Sequence, residues 1–208
     1  WSLRFAVSPA TLDPRPDSET MIDAAVRWVS RNAAKDRPLR LLDLGTGSGC
    51  LLLALLSELP QANGVGIDVN LDAIATARRN AASLGLGERA AFTAHSFADD
   101  LGPLGDFDVI LSNPPYIPTG EIDGLAVDVK SFDPALALDG GADGMACWQQ
   151  LLPRLAAALA VSGMAFVEIG RGQENAVTAE AEKANLQLSG SYHDLAGITR
   201  CLAFSIKM

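Results

Sequence analysis

Three stretches carry residues whose types and spacing suit chemistry on a bound small molecule. They are Asp43-Leu44-Gly45-Thr46-Gly47-Ser48-Gly49, the lone Asp68, and Asn113-Pro114-Pro115-Tyr116. Glycines at 45, 47 and 49 let the backbone turn sharply and let a ligand approach where a Cβ would collide. The dinucleotide fingerprint G-x-G-x-x-G needs a glycine at position 50, where this chain has Cys50, so the pattern is G-x-G-x-G instead. Asp68 closes the next apolar run, and a carboxylate there can accept both hydroxyls of a ribose in a charge-assisted pair of hydrogen bonds. Asn113 to Tyr116 follows the apolar run Phe107 to Leu111. Two prolines end that strand and hold an amide and an aromatic ring in a rigid turn.

Positioning these groups requires a sheet edge. From Leu39 onward apolar strands alternate with amphipathic segments: strand 39–44, helix 49–59, strand 64–68, helix 71–84, strands 90–94 and 107–112. An irregular stretch, 113–141, interrupts the alternation. A helix over 142–160 then contains Pro153, which predicts a kink, and strand 164–169 and helix 173–184 follow. Strands 186–193 and 199–206, joined by a short glycine-containing link, predict an antiparallel hairpin at one edge. Ahead of the alternation, residues 4–7 read as a short strand. A Pro-rich turn follows, then a helix capped by Asp17 or Ser18 with Met21, Ile22, Ala25, Val26 and Val29 on one face. Strands alternating with helices mean an α/β fold: a doubly wound, mostly parallel sheet covered on both faces. In such a sheet the glycine turn lies at the strand carboxyl edge, where ligands bind. With no fixed-period repeat and no linker, 1–208 reads as one domain, with 1–38 as its lead-in.

Composition narrows the possibilities. A net charge of −9, with the deficit falling after residue 40, offers no basic face for tracking nucleic-acid phosphates. The aliphatic runs are far shorter than a bilayer span, and no basic-then-apolar leader opens the chain, so no membrane association is expected. Cys50, Cys147 and Cys201 are odd in number and lack a C-x-x-C pair, as in a cytoplasmic protein with reduced core thiols. His95 and His193, without clustered partners, read as structural. Asp99, Asp100, Asp106 and Asp108 read as solvated loop carboxylates, and no metal site is expected.

Taken in order, these motifs resemble class I S-adenosylmethionine (AdoMet)-dependent, Rossmann-like methyltransferases that modify exocyclic or amide nitrogens. More narrowly, they resemble the HemK/PrmC family of protein-(glutamine-N5) methyltransferases. "DLGTGSG" and "NPPY" carry the likeness, joined by "TLDPRPDSE" (11–19), "FDPALALDGGADGM" (132–145), "EIG" (168–170) with Gln173, and "DLAGITR" (194–200). The resemblance covers essentially the whole chain but not the family's N-terminal helical domain, which would precede Trp1. It implies AdoMet as cofactor, S-adenosylhomocysteine as product, and peptide chain release factors as partners in translation termination. The methyl acceptor would be the Gln of their Gly-Gly-Gln (GGQ) loop. Cofactor contacts would come from Gly45, Thr46, Gly47, Ser48, Gly49, Asp68, Phe97 and Asn113. Three positions depart from the family pattern. Asp13 replaces an apolar residue, Asp133 replaces Glu, and Ser96 stands where an acid commonly binds the adenine amino group, with Phe97 keeping the aromatic that covers the ring.

The turn at 113–116 suits an amide nitrogen. A glutamine nitrogen is a poor nucleophile because its lone pair is delocalised into the carbonyl. Gripping both N–H protons with acceptors aims that lone pair at a methyl donor. Asn113 supplies a side-chain oxygen, Pro114 a rigidly held carbonyl, Pro115 the rigidity, and Tyr116 a flat face. The same clamp would serve a ribosomal-protein glutamine, or an adenine or guanine exocyclic amine, although a flipped base calls for a basic groove. A non-catalytic nucleotide-binding module would keep the glycine turn but have no use for the clamp. Arg15 can either close over the cofactor or pair at the surface, and Glu168 ends a strand at the same sheet edge, from which it can line the site.

Overall fold

A computed structural model describes residues 1–32 and 37–207; residues 33–36, within the lead-in, lie outside the described residues. Among the described residues, seven strands form one sheet: β1 (Arg40–Leu44), β2 (Asn63–Asp68), β3 (Ala90–Ala94), β4 (Phe107–Ser112), β5 (Leu159–Glu168), β6 (Leu186–His193) and β7 (Thr199–Ile206). Their spatial order is β3-β2-β1-β4-β5-β7-β6. The first five run parallel, and β7 is antiparallel to both β5 and β6, so the expected hairpin stands at the edge. The chain winds outward from β1 to β3, then returns to lay β4 on the other flank of β1. Where the winding direction reverses, the carboxyl ends of β1 and β4 frame a crevice, which is where open α/β sheets bind ligands.

Period-two alternation sends successive strand residues to opposite cores. Leu41, Val109 and Phe166 join one core with α1 (Glu19–Asn32), α2 (Cys50–Glu58) and α3 (Leu71–Ser83). Leu42, Ile110 and Val167 join the other with α5 (Ala146–Ala158) and α6 (Glu174–Lys183). β4 is buried at every position, as a central strand covered on both faces must be. This class of fold is the one read from the alternation.

Five local readings are corrected. Residues 4–7 form no strand: the buried Asn80 side chain of α3 takes both the N–H and the C=O of Ala6, at 2.8 and 2.9 Å, in place of a neighbouring strand. Neither Asp17 nor Ser18 caps α1, because a 3-10 turn over Pro16–Ser18 leads straight into it. The 113–141 stretch is ordered, holding 3-10 turns at Thr119–Gly124 and Ala135–Ala137 around α4 (Val127–Phe132). Ile117 and Gly140 close its base, with Gly140 N–H donating to the Ile117 carbonyl at 2.8 Å. α5 starts at Ala146, just after a turn in which Asp143 Oδ1 accepts from Met145 N–H at 3.0 Å, and it carries Pro153 within its length. Finally, Asp108 is no loop carboxylate; it is buried on β4, where it holds the Arg37 guanidinium and the Arg40 N–H. Burial acts to raise its pKa, but the hydrogen bonds and charge of Arg37 prevail and hold it below the usual range.

Candidate active site

β1 ends in the glycine turn because Gly45, Gly47 and Gly49 all take positive φ, at 74°, 53° and 79°, which other residues adopt only with strain. A Cβ built on Gly45 or Gly47 would meet nothing within 4 Å. Their missing side chains therefore leave space on the cavity side. Gly49 differs: its Cβ would press on Ala77, Phe92 and Leu53 at 3.1–3.3 Å, so this glycine serves helix packing. The turn is pinned from three directions. Gly45 and Thr46 N–H donate to the Ile67 carbonyl, Gly47 N–H donates to Asp68 at 2.9 Å, and Asn80 Nδ2 donates to the Ser48 carbonyl at 2.8 Å.

Beneath the turn, Asp43 is fully buried and accepts from the Thr46 hydroxyl at 2.6 Å, while its Oδ1 has no partner among the described residues. Burial raises its pKa to about 7 despite that hydrogen bond. Cys50 opens α2 at the cavity wall. Desolvation pushes its thiol up to about 11, so it is a neutral wall residue rather than a helix-activated thiolate.

A cavity of about 320 Å3 lies over the crevice. Gly45, Thr46, Gly47, Ser48 and Asp68 line one side, His95, Ser96 and Phe97 a second, and Asn113 and Pro115 a third. Its roof comes from two segments distant in sequence, Ala10 to Arg15 and Pro134 to Ala137. Asp133 clasps them together: its carboxylate pairs with Arg15 and accepts from Asp13 N–H at 3.1 Å. Arg15 thus lines the cavity, and its ion-pair partner is the buried Asp133 rather than a group at the surface. Asp13 itself is exposed, so its position places no demand for an apolar side chain. Ser96 turns its hydroxyl to Ala98 N–H at 3.0 Å.

The turn after β4 divides into two parts. Asn113 reaches the cavity, its Nδ2 donating to Ser18 Oγ at 3.5 Å, and its Oδ1 accepts no hydrogen bond among the described residues. Pro114 is buried and, like Tyr116, does not line the cavity. The Tyr116 ring packs toward the core beside Gly170, where a Cβ would come within 3.0 Å of its edge. Its hydroxyl donates to Glu168 Oε1 at 3.4 Å, and its carbonyl accepts from Gln173 Nε2 at 2.9 Å. Glu168 therefore sits one layer behind the cavity, not in its wall. Ser18 and the 134–137 roof fall within the stretches 11–19 and 132–145 that carry the family resemblance but are not among the expected site residues, whereas Asn80 lies in no such stretch and only its contacts mark it.

No described helix is long and apolar enough to cross a membrane. Among the described residues, no three His, Cys, Asp or Glu side chains gather in a way that would hold a metal ion.

The sheet order, the glycine turn and the crevice between β1 and β4 define the class I AdoMet-dependent methyltransferase fold. A solved ribosomal protein L11 methylase from Lactobacillus delbrueckii subsp. bulgaricus shares that fold, with a TM-score of 0.65 at 20% identity over 97% of this chain and 84% of that one. The methyltransferase small domain family matches residues 17–129. A release factor glutamine methyltransferase of Bradyrhizobium diazoefficiens is 46% identical over 98% of this chain and 68% of its own length. Another, of Rhodospirillum rubrum, is 44% identical over 97% of this chain and 60% of its own. The chain thus spans about two thirds of the length of these relatives, and it belongs to the release factor glutamine methyltransferase family.

Proposed function

We infer that the chain uses AdoMet to methylate the side-chain nitrogen of the Gln in the GGQ loop of peptide chain release factors. The observation that carries this reading is a single cavity bounded on one side by the glycine turn and Asp68 and on the other by Asn113, whose amide oxygen is free. The residues fit AdoMet. The open space at Gly45 and Gly47 accommodates a ligand against the backbone, Asp68 is placed to accept ribose hydroxyls, and Phe97 offers a ring to the adenine.

When bound, AdoMet would supply a sulfonium-borne methyl that passes to the glutamine nitrogen as its bond to sulfur breaks, leaving S-adenosylhomocysteine as a neutral thioether. Asn113 Oδ1 would accept a hydrogen bond from one N–H of the substrate amide. The Pro114 carbonyl, which makes no other hydrogen bond among the described residues, would accept the second only if the amide reaches past the cavity lining, to which Pro114 does not itself contribute. With both N–H protons held, the nitrogen lone pair points away from Asn113. Orientation of this kind contributes about 7–11 kcal/mol in favourable cases. The methylated nitrogen sheds a proton to water, so no buried base is required. Tyr116, turned toward Glu168 and Gln173, supports the clamp from behind rather than covering the amide.

The test is methyl transfer from labelled AdoMet to an intact release factor, to its Gln→Ala variant, and to duplex DNA under one set of conditions, with the modified residue located by mass spectrometry. Label confined to the Gln is expected, and it should vanish in Asn113→Ala enzyme that still binds AdoMet. Label in DNA, or equal label in the Gln→Ala factor, overturns the reading.

A further inference from the structure

The turn joining β6 to β7 carries the stretch Asp194 to Arg200, which the inferred chemistry leaves unused. Asp194 closes it from within. Its Oδ1 accepts Ala196 N–H at 2.8 Å and Ile198 N–H at 2.9 Å. Its own N–H donates to the Ile198 carbonyl at 2.9 Å, and its carbonyl accepts from Gly197 N–H at 3.0 Å, with Gly197 at a φ of 77°. On this closed turn Leu195 is fully exposed, the most exposed large apolar side chain among the described residues. A lone surface leucine is ordinary. A leucine on a rigid mount is a ready-made anchor, because little freedom is lost when a partner covers it.

The mount is tied to the cavity mouth. Arg200 donates to Asp194 at 3.0 Å and pairs with Asp17 at 3.1 Å, which joins the tip to the Pro-rich lead-in turn. Two residues earlier on that turn, Arg15 pairs with Asp133, the residue that ends α4. Arg15 and Ser18 of the same turn line the cavity. One short turn therefore holds two exposed apolar groups beside the mouth. Leu195 is held through Arg200, and Phe132, 73% exposed, through its neighbour Asp133. Neither side chain lines the cavity itself.

We propose that Leu195 and Phe132 anchor a docking face for the body of the release factor whose Gln enters the cavity. This rests on the function inferred above and names the surface by which that substrate is held. A Gln on a protein loop brings its protein with it. Once the side chain is in the cavity, the surrounding fold must lie over the mouth, and so over the groups mounted beside it. The cavity, at about 320 Å3, takes a cofactor and one side chain, whereas specific protein recognition buries roughly 800 Å2 on each partner. The contact area must therefore come from outside the cavity. Charge narrows the occupant. Asp13 and Asp139 are exposed beside the mouth, so the matching face is an apolar patch bordered by basic side chains. A second copy of this chain would bring the same carboxylates against each other across a two-fold axis, which disfavours a dimer there.

The experiment measures methylation of an intact release factor and of a Gly-Gly-Gln peptide by the full chain, as wild type, Leu195→Ser and Phe132→Ser, with AdoMet affinity by calorimetry. Each substitution should raise KM for the intact factor roughly tenfold or more, the scale of losing an interface anchor, with kcat nearly unchanged. Peptide kinetics and AdoMet affinity should stay within about twofold of wild type, the usual spread of surface substitutions. Added salt should raise the wild-type KM for the intact factor, as for a basic partner on an acidic rim. An intact-factor KM that Leu195→Ser leaves unchanged overturns the proposal. So does an equal loss on peptide and factor, which would mark damage to the site. Where the peptide turns over too slowly to read, a fall in kcat with unchanged KM sinks the idea. A wild-type dimer that Leu195→Ser dissolves in sedimentation, with KM unaltered, would assign the face to a second copy and refute the proposal as well. Wild-type enzyme that leaves the factor's Gln unlabelled refutes the function itself, an outcome distinct from a labelled Gln with an unchanged KM in the variant.

Discussion

At the end of β2 the Asp68 carboxylate receives Gly47 N–H and Asn70 N–H, each at 2.9 Å, and the residue lines the cavity. It therefore shapes the glycine turn, and in the proposed function it would also offer acceptors to a ribose. Asp68→Ala should weaken AdoMet binding by about 1.5–3 kcal/mol, the scale of hydrogen bonds to a charged group. Unchanged affinity in calorimetry would remove Asp68 from the site. Asp43 makes a different prediction. Its pKa stands near 7 in the fold against 3.8 for the free side chain, because burial disfavours the charge. A raised acid stabilises the fold fully below its unfolded pKa, and this contribution is lost as pH rises through about 7. Urea unfolding should show stability increasing as pH falls from 8 to 5, with a shallower slope in Asp43→Asn. Asp108, Asp139 and Asp194, whose pKa values are lowered, work in the opposite sense only at more acid pH. Identical slopes in wild type and variant would show that Asp43 keeps its charge.

Between elements, the cavity roof depends on the Asp133 clasp. The Ala10 to Arg15 segment has no sheet partners of its own, and the 134–137 turn is a short excursion; each is held in part by the other through one buried carboxylate. Asp133→Ala leaves Arg15 and Asp13 N–H without that partner and should cost about 1.5–3 kcal/mol of stability. AdoMet affinity should fall with it, because binding must then order a loose roof. Protection of Asp13 N–H from hydrogen exchange reads the clasp directly. Wild-type protection in the variant would show that the roof holds without it. Asp133 reaches both partners from a buried position.

For the whole molecule, the proposed function raises the question of how the cavity would select one glutamine. With a net charge of −9, the surface repels phosphates wherever no basic groove offsets it. The ordered 113–141 excursion stands beside the mouth, with Leu136, 66% exposed, reaching from it into the cavity rim. Two glycines ahead of a Gln let a peptide backbone approach such a rim closely. A short Gly-Gly-Gln peptide should therefore be methylated with far lower kcat/KM than an intact release factor, because remote contacts contribute to holding the loop in the reactive pose. Equal values for peptide and intact factor would mean that the cavity alone does the selecting.

The sequence by itself determined the sheet class, because apolar strand runs alternating with amphipathic helices call for a parallel sheet covered on both faces. It also determined the glycine turn, Asp68 and the Asn113 turn, whose backbone demands are written into adjacent residues. Only the tertiary structure decided what meets across the chain. Asn113 finds Ser18 across 95 residues and Arg15 finds Asp133 across 118, while Asn80 stands in for a strand that residues 4–7 never form. Such contacts join single side chains delivered by separate elements, and a lone Ser or Asn leaves no periodic trace in the sequence. The same holds for Tyr116: its type marked it as a site residue, but the close approach allowed by Gly170 and the hydrogen bond to Gln173 turned it to the layer behind the cavity.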